Sequence, residues 1–419
     1  MRVSFVCNDT WGGVQPYLAL ARGLARLGHQ VQMVAPEGFR AAIEAAGLPH
    51  AGIEGDVRAN LQRPEVLDAM ERGFLATHRL MVRMMDQTVR VAIRDCMRAL
   101  EGQDLVVCGF GGMLAAQPVA EKLGIPLLQA HLQPLFTTSA YPGLLSMRAL
   151  SGVGVANRVS HAFTRQVFWQ PLRGAISRAR RDLLGLPPAP LFGRAAHPQR
   201  PGQPVLFGYS PSLLPQPRDA APEVHVTGYW FPDRNEAWQP PAHLAAFMNS
   251  GPPPVAVGFG SMSAKDPKAT ADLVLQAAER AGCRVVLLSG WDGMQASQLP
   301  SWACVVEHVP HEWLYPRCAA AVHHGGAGTT GASVRAGVPT IIVPFAADQP
   351  FWAWLVTQRG VGLSAGARKR LTPQRLAAAM KQALADTAMR GRAAALGHAV
   401  QQEDGVALGA KAIHQYLRR

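Results

Sequence analysis

Cysteine is scarce and scattered. The six residues Cys7, Cys96, Cys108, Cys283, Cys304 and Cys318 lie far apart in a chain of 419, with no Cys-x-x-Cys pair among them. That spacing offers neither a zinc site nor a disulfide scaffold, and it suits reduced, buried thiols in a cytoplasmic protein. Long apolar runs are missing as well. No uninterrupted stretch reaches the length that spans a bilayer, so any meeting with a membrane is expected to be peripheral. Met1 leads straight into Val3-Ser4-Phe5-Val6-Cys7 without a basic n-region or a small-residue cleavage site, which excludes a signal peptide from the expectation. Acid is the rarer charge: 28 Asp and Glu stand against 41 Lys and Arg, a formal net charge of +13. An excess of this size suits nucleic acid, an anionic membrane or an acidic small ligand, and does not choose among them. The basic residues are not interleaved with an aromatic platform or set on a recognisable binding motif, so nucleic acid is not expected as a partner. They concentrate at Arg158, Arg165, Arg173, Arg178, Arg180, Arg181, Arg194 and Arg200, where Asp182 is the only acid nearby in sequence, and this predicts a basic face.

What is present is a βα rhythm. Val3 to Cys7 reads as a strand, Pro16 to Leu27 as an amphipathic helix stopping at Gly28, and Gln30 to Ala35 as the next strand. The pattern returns at Asp104 to Cys108, Met113 to Leu123 and Pro126 to Ala130. Between them lies a long helical stretch, residues 63–100, in which Met81, Met84 and Met85 fit either core packing or an apolar pocket. Residues 187–254 are rich in Pro, with strand-like Val205 to Tyr209 and Val224 to Thr227. The rhythm then restarts with Val255 to Gly258, Lys268 to Ala281, Arg284 to Ser289, Ala319 to His323, Thr330 to Ala336 and Thr340 to Val343. The expected organisation is a Rossmann-like acceptor domain over 1–215, a Pro-rich linker over 216–250 and a second Rossmann-like domain over 251–400. A last helix over 401–419 is expected to cross back to the first domain, and the two parallel sheets to face each other across a cleft.

The chemistry gathers in one segment. His323-His324-Gly325-Gly326-Ala327-Gly328-Thr329-Thr330 follows an apolar strand and opens a helix, where small residues let backbone amides approach a phosphate at the positive end of a helix dipole. His324 and Thr329 add donors. A second Gly-containing loop, Gly258-Phe259-Gly260-Ser261-Met262, ends another strand of the same half and brings the Ser261 hydroxyl. A third, Pro344 to Trp352, offers Asp348 and Gln349 to vicinal sugar hydroxyls. Tight turns need Gly whether or not they bind anything, so the signal lies in three such loops at the carboxyl ends of strands.

The run from Val309-Pro310-His311-Glu312-Trp313-Leu314 through His324-Gly325-Gly326-Ala327-Gly328-Thr329 to Asp348-Gln349-Pro350-Phe351-Trp352 resembles the donor-binding signature of family 1 glycosyltransferases. It is most similar to the bacterial branch that acts on sterols, antibiotic aglycones and rhamnolipids. Gly12-Gly13-Val14-Gln15-Pro16-Tyr17 resembles the opening loop of that branch, so the similarity covers nearly the whole length. The resemblance implies an α/β GT-B fold, an inverting mechanism, a UDP- or TDP-sugar donor as co-substrate, and no cofactor or metal ion. It places Val309, and less directly Trp291, beside the nucleoside. Ser261, His324, Gly326, Ala327, Gly328 and Thr329 would hold the diphosphate, and Asp348 and Gln349 the sugar. Plant members carry a ribose-binding Glu where this chain has Ala332.

Displacement at an anomeric carbon needs a base for the acceptor hydroxyl and stabilisation of the departing diphosphate. In this branch the base is an Asp at the position that Gly13 occupies here. Asp9, in the same short loop, is the expected substitute, with a loop or cap carboxylate as the equal alternative. His131, at the end of another strand, is the second candidate. The acceptor is expected to be an apolar small molecule: a sterol, lipid, polyketide or flavonoid. Residues 158–184 mix arginines with Phe163, Val167, Phe168, Trp169, Leu172 and Ile176, which suits either an anionic lipid surface or a packed, solvated helix. Gly13 also keeps open a catalytically silent GT-B partner that activates another transferase. A sugar-nucleotide epimerase is disfavoured by Val14-Gln15-Pro16.

Overall fold

A computed structural model of the chain describes residues 1–55, 63–72, 74–145, 153–193, 200–233, 237–260, 266–288 and 299–419. They form two α/β units. The first comprises Met1–Pro211, Pro215–Pro232 and Asp404–Arg419, and the second Ser212–Leu214 with Asp233–Glu403.

The first unit carries seven parallel strands: β1 (Arg2–Val6), β2 (Gln30–Pro36), β3 (His50–Ile53), β4 (Leu105–Cys108), β5 (Leu127–His131), β6 (Val205–Phe207) and β7 (Val224–Val226). Their order is β3-β2-β1-β4-β5-β6-β7, with Val3 paired to Val31 on one side and Leu105 on the other. Such strands are buried on both faces and read as continuous apolar runs, which is why Val3 to Cys7 and Leu105 to Cys108 stand out in sequence. The strand β7 lies within the stretch read as a linker and extends this sheet.

Helix α1 (Trp11–Ala25) begins five residues before the helix that sequence suggests, so Pro16 lies inside its second turn. The helix Gly405–Leu417 packs along α1, close enough that a Cβ on Gly23 would meet Val406 Cγ1 at 2.6 Å. Helices α2 (Phe74–Leu100), α3 (Phe110–Leu123) and α4 (Gly154–Leu184) cover one face of the sheet through Val89, Ile93, Val119, Leu172 and Ile176. Met85 packs against that core, as ordinary packing predicts, whereas the Met81 side chain lies outside the described residues.

The basic face is less basic than its sequence. Folding brings carboxylates to it: Arg180 makes a two-pronged pair with Glu121 at 2.7 and 2.9 Å, Arg178 meets Asp86 at 2.8 Å, and Arg158 meets Asp219 at 3.0 Å. Arg165 and Arg173 donate to carbonyl oxygens and meet no carboxylate among the described residues, and Arg194 lies outside them.

The second unit has six parallel strands: β8 (Val255–Gly258), β9 (Val285–Leu288), β10 (Ala303–Val306), β11 (Ala320–His323), β12 (Thr340–Ile342) and β13 (Gly362–Ser364), in the order β10-β9-β8-β11-β12-β13. Helices α5 (Pro267–Ala281) and α8 (Pro373–Ala385) close one face around Val257, Val274, Leu287 and Leu376. Between them in sequence, α6 (Ala327–Arg335) and α7 (Gln349–Gln358) follow β11 and β12. Among the described residues no helix is long and apolar enough to cross a membrane.

Candidate functional site

In the second sheet the strand order reverses between β8 and β11, and open parallel sheets bind ligands outside the carboxyl ends of strands at such a point. Phe259-Gly260 leaves β8 there and His324-Gly325-Gly326 leaves β11. Gly325 has φ 90°, and a Cβ on it would meet Ile342 Cγ2 at 2.5 Å, so the turn admits only glycine. The N-cap of α6 is Gly326, which has no side chain to cap with, and the first amide to find a helical partner is that of Thr330, on the Gly326 carbonyl. The amides of Ala327, Gly328 and Thr329 therefore carry no intrahelical partner at the positive end of the dipole.

His324 adjoins them. A Cβ on Gly326 would come 2.5 Å from its Nε2 and one on Gly260 3.2 Å from its Cε1, so the ring occupies space that two glycines keep open. Its Nδ1 is buried without a hydrogen-bond partner, and burial pushes its pKa down to about 4. At neutral pH the imidazole is uncharged and keeps one N–H to give. A buried orphan polar atom asks for an explanation, and beside three uncapped amides an anion supplies one.

The other donor-side residues are placed less directly. The Gln349 Oε1 accepts from the amides of Phe345 and Ala346 at 2.7 and 3.1 Å, so this side chain first shapes the loop that was expected to hold sugar. Asp348 Oδ2 accepts from the Trp352 indole at 2.8 Å, one turn along α7. Between loop and helix, Ala347 holds φ 56°, a left-handed conformation rare outside glycine. The side chain of Val309 belongs to the core with Val306, Leu314 and Tyr315, which leaves only its main chain for a nucleobase. Ser261 and Trp291 lie outside the described residues.

In the first sheet the order reverses between β1 and β4. The loop after β1 carries Asp9, and its Oδ1 accepts the amide of Thr10 at 2.7 Å, the local bond that a loop carboxylate makes. The side chain is solvent-exposed and lies across Gly13, where an added Cβ would stand 2.5 Å from Oδ2. From the other side Gly111, at the start of α3, leaves room for it: a Cβ there would be 3.3 Å from the same oxygen. Sequence reading passes over Gly111, although Gly109-Phe110-Gly111-Gly112 directly after a strand is the pattern that singles out the turn after β11.

His131 ends β5 and is 1% exposed. Its Nε2 lies 3.1 Å from Gln129 Oε1, its Nδ1 has no partner, and burial holds its pKa at about 4. Packed 5.6 Å from the Phe207 ring, it is shielded from any acceptor that does not displace its neighbours.

Residues 9–142 match the glycosyltransferase family 28 N-terminal domain, and residues 272–404 the erythromycin biosynthesis protein CIII-like C-terminal domain. The chain is 32% identical over 445 residues to a sterol 3-beta-glucosyltransferase of Cryptococcus neoformans and 34% identical over 432 residues to one of Aspergillus terreus. Both alignments take in 100% of this chain but only 27% and 30% of those longer proteins. These relatives are fungal, so they do not bear out the bacterial branch suggested by the motifs. Among solved structures, the glycosyltransferase VinC in complex with dTDP superposes with a TM-score of 0.66 at 20% identity, over 100% of this chain and 99% of that one.

Proposed function

The chain belongs to the family 1 glycosyltransferases of GT-B fold, and from that premise we propose that it moves a hexose from a UDP- or TDP-sugar to a hydroxyl of a sterol or similarly apolar acceptor. The observation that carries this reading is the turn after β11: three amides without an intrahelical partner or a side-chain cap, and a neutral His324 whose Nδ1 is buried and unbonded. The acceptor oxygen attacks the anomeric carbon, the bond to the diphosphate oxygen breaks with inversion, and the electron pair leaves with the diphosphate. Amides and imidazole meet that charge in the place where other enzymes use a cation. The Gln349 amide and the Asp348 carboxylate would then bind the sugar from a loop they themselves brace.

Asp9 would take the acceptor proton. Its carboxylate lies in the volume that a side chain at position 13 would fill, and it is open to solvent, whereas His131 is enclosed. This favours an active transferase over a silent partner protein, since the volume left by Gly13 is not vacant of carboxylate. Calorimetry with UDP, TDP and GDP tests the donor half. A mass-spectrometric screen of sterols, polyketides and flavonoids with the preferred sugar nucleotide tests the acceptor half. Absence of affinity for every nucleoside diphosphate would sink the proposal.

We also propose a peripheral contact with anionic membrane through α4. Leu172 and Ile176, two of the apolar residues that suit either a lipid surface or a packed helix, point into the core. The exposed stripe is Val155, Val159 and Phe163, at four-residue spacing and 75%, 63% and 58% exposed.

A further inference from the structure

His323 is fully buried at the end of β11, yet both of its ring nitrogens are engaged. The amide of Gly325 donates to Nδ1 at 3.0 Å, so Nδ1 carries no proton. The proton therefore sits on Nε2, which donates to Ser333 Oγ at 3.1 Å. The Ser333 hydroxyl donates to the Thr330 carbonyl at 3.0 Å and accepts from Thr340 Oγ1 at 3.0 Å. One closed network thus joins β11, α6 and β12, and every group in this chain of bonds has a partner. Burial pushes the imidazole pKa well below its ordinary range, which keeps the ring uncharged at neutral pH. An apolar side chain of the same size would fill the space equally well but strand the buried amide of Gly325.

We propose that His323 is the positioning residue of the diphosphate turn: by drawing the Gly325 amide inward it fixes which amides, those of Ala327, Gly328 and Thr329, are presented to the anion. The inference rests on the donor reading above. His323 touches no phosphate in this scheme. It acts through Gly325, whose left-handed backbone and contact with Ile342 leave the turn few other shapes.

The two nitrogens can be replaced one at a time. His323→Asn puts an acceptor oxygen where Nδ1 stood and loses the donor to Ser333. His323→Gln puts an amide near the Nε2 position and loses the acceptor for Gly325. Calorimetry of the full chain with UDP and TDP should find Asn within about threefold of wild type and Gln weakened by at least about tenfold, the worth of a hydrogen bond. Ser333→Ala, which keeps the Gly325 bond, should lower the melting temperature while leaving diphosphate affinity nearly unchanged. Uridine and thymidine, which lack phosphate, should bind all variants alike. A role confined to stability would move Asn and Gln together, and that result, or equal affinity in all three variants, overturns the assignment to His323 while the donor reading stands. A wild-type chain with no affinity for either diphosphate removes both.

Discussion

Asp9 and Gly13 share one volume: a Cβ on Gly13 would stand 2.5 Å from Asp9 Oδ2 and 2.7 Å from Asp9 Cβ. A carboxylate four residues earlier thus leans over the position where the family resemblance leads one to expect a base. Gly111 completes the arrangement from α3. A side chain at position 13 would require the Asp9 carboxylate to move.

If Asp9 is the base, Asp9→Asn keeps the shape and the bond to the Thr10 amide but cannot take a proton. Transfer should fall by about 10²- to 10⁴-fold. Affinity for the nucleoside diphosphate, measured by calorimetry, should stay at the wild-type value. Unchanged turnover in initial-rate assays would reject the assignment and leave His131 as the candidate.

The shared volume makes a second, independent demand. Gly13→Ala adds only a methyl group, but the methyl would displace the Asp9 carboxylate, and a misplacement near 1 Å costs on the order of 10²-fold in rate. Gly13→Asp alone crowds two like charges and should be worse. The exchange Asp9→Gly with Gly13→Asp returns one carboxylate to the site and should recover part of the lost rate. A double variant no faster than Asp9→Asn would show that the two positions are not interchangeable.

Much of this was legible in the sequence, and the gaps have physical causes. Strands buried on both faces announce themselves as apolar runs, so β1, β4, β8 and β11 are found within a residue or two. The missed strands β3, β10 and β13 are short edge or near-edge segments. His50-Ala51-Gly52-Ile53 buries only Ile53 fully, and Gly362-Leu363-Ser364 has one large apolar residue. Helix α1 was begun too late because Trp11-Gly12-Gly13 are poor helix formers, and Pro16 reads as a first-turn residue. The donor turn was visible because glycine, strand and helix follow each other directly. The pairing of Asp9 with Gly13 was legible too, since both follow β1, but the approach of Gly111 was not, because it depends on how the turns after β1 and β4 meet.

Buried and half-buried histidines give the protein an acid limit. His131, His311 and His324 are each held at about 4 by burial, against an ordinary 6.5. Between those values the unfolded chain binds more protons than the folded one, so stability falls as pH drops through this window, by roughly 1.4 kcal/mol per group per pH unit. Below about 4 these groups contribute no further slope. Melting temperatures across the window should decline accordingly. His131→Phe, which removes the imidazole whose Nδ1 is unpaired beside Phe207, should make the decline shallower. An unaltered slope in that variant would mean His131 does not titrate in this range.

The outer side of α4 poses the last test. Val155, Val159 and Phe163 are exposed on a helix that holds six arginines and one aspartate, yet three of those arginines meet carboxylates from elsewhere, on α2, α3 and the segment before β7. Binding to a bilayer would thus draw mainly on apolar area, about 25 cal/mol per Å² buried, with Arg165 and Arg173 adding a preference for anionic lipid. Flotation with vesicles of neutral lipid should recover a small fraction of the protein, and vesicles containing phosphatidylserine a larger one. Val159→Glu with Phe163→Glu should abolish both, without lowering affinity for a nucleoside diphosphate. Sedimentation of the same samples separates the competing outcome: self-association that these substitutions remove, with no flotation on either lipid, would make the stripe a contact between copies of the chain and not a membrane face.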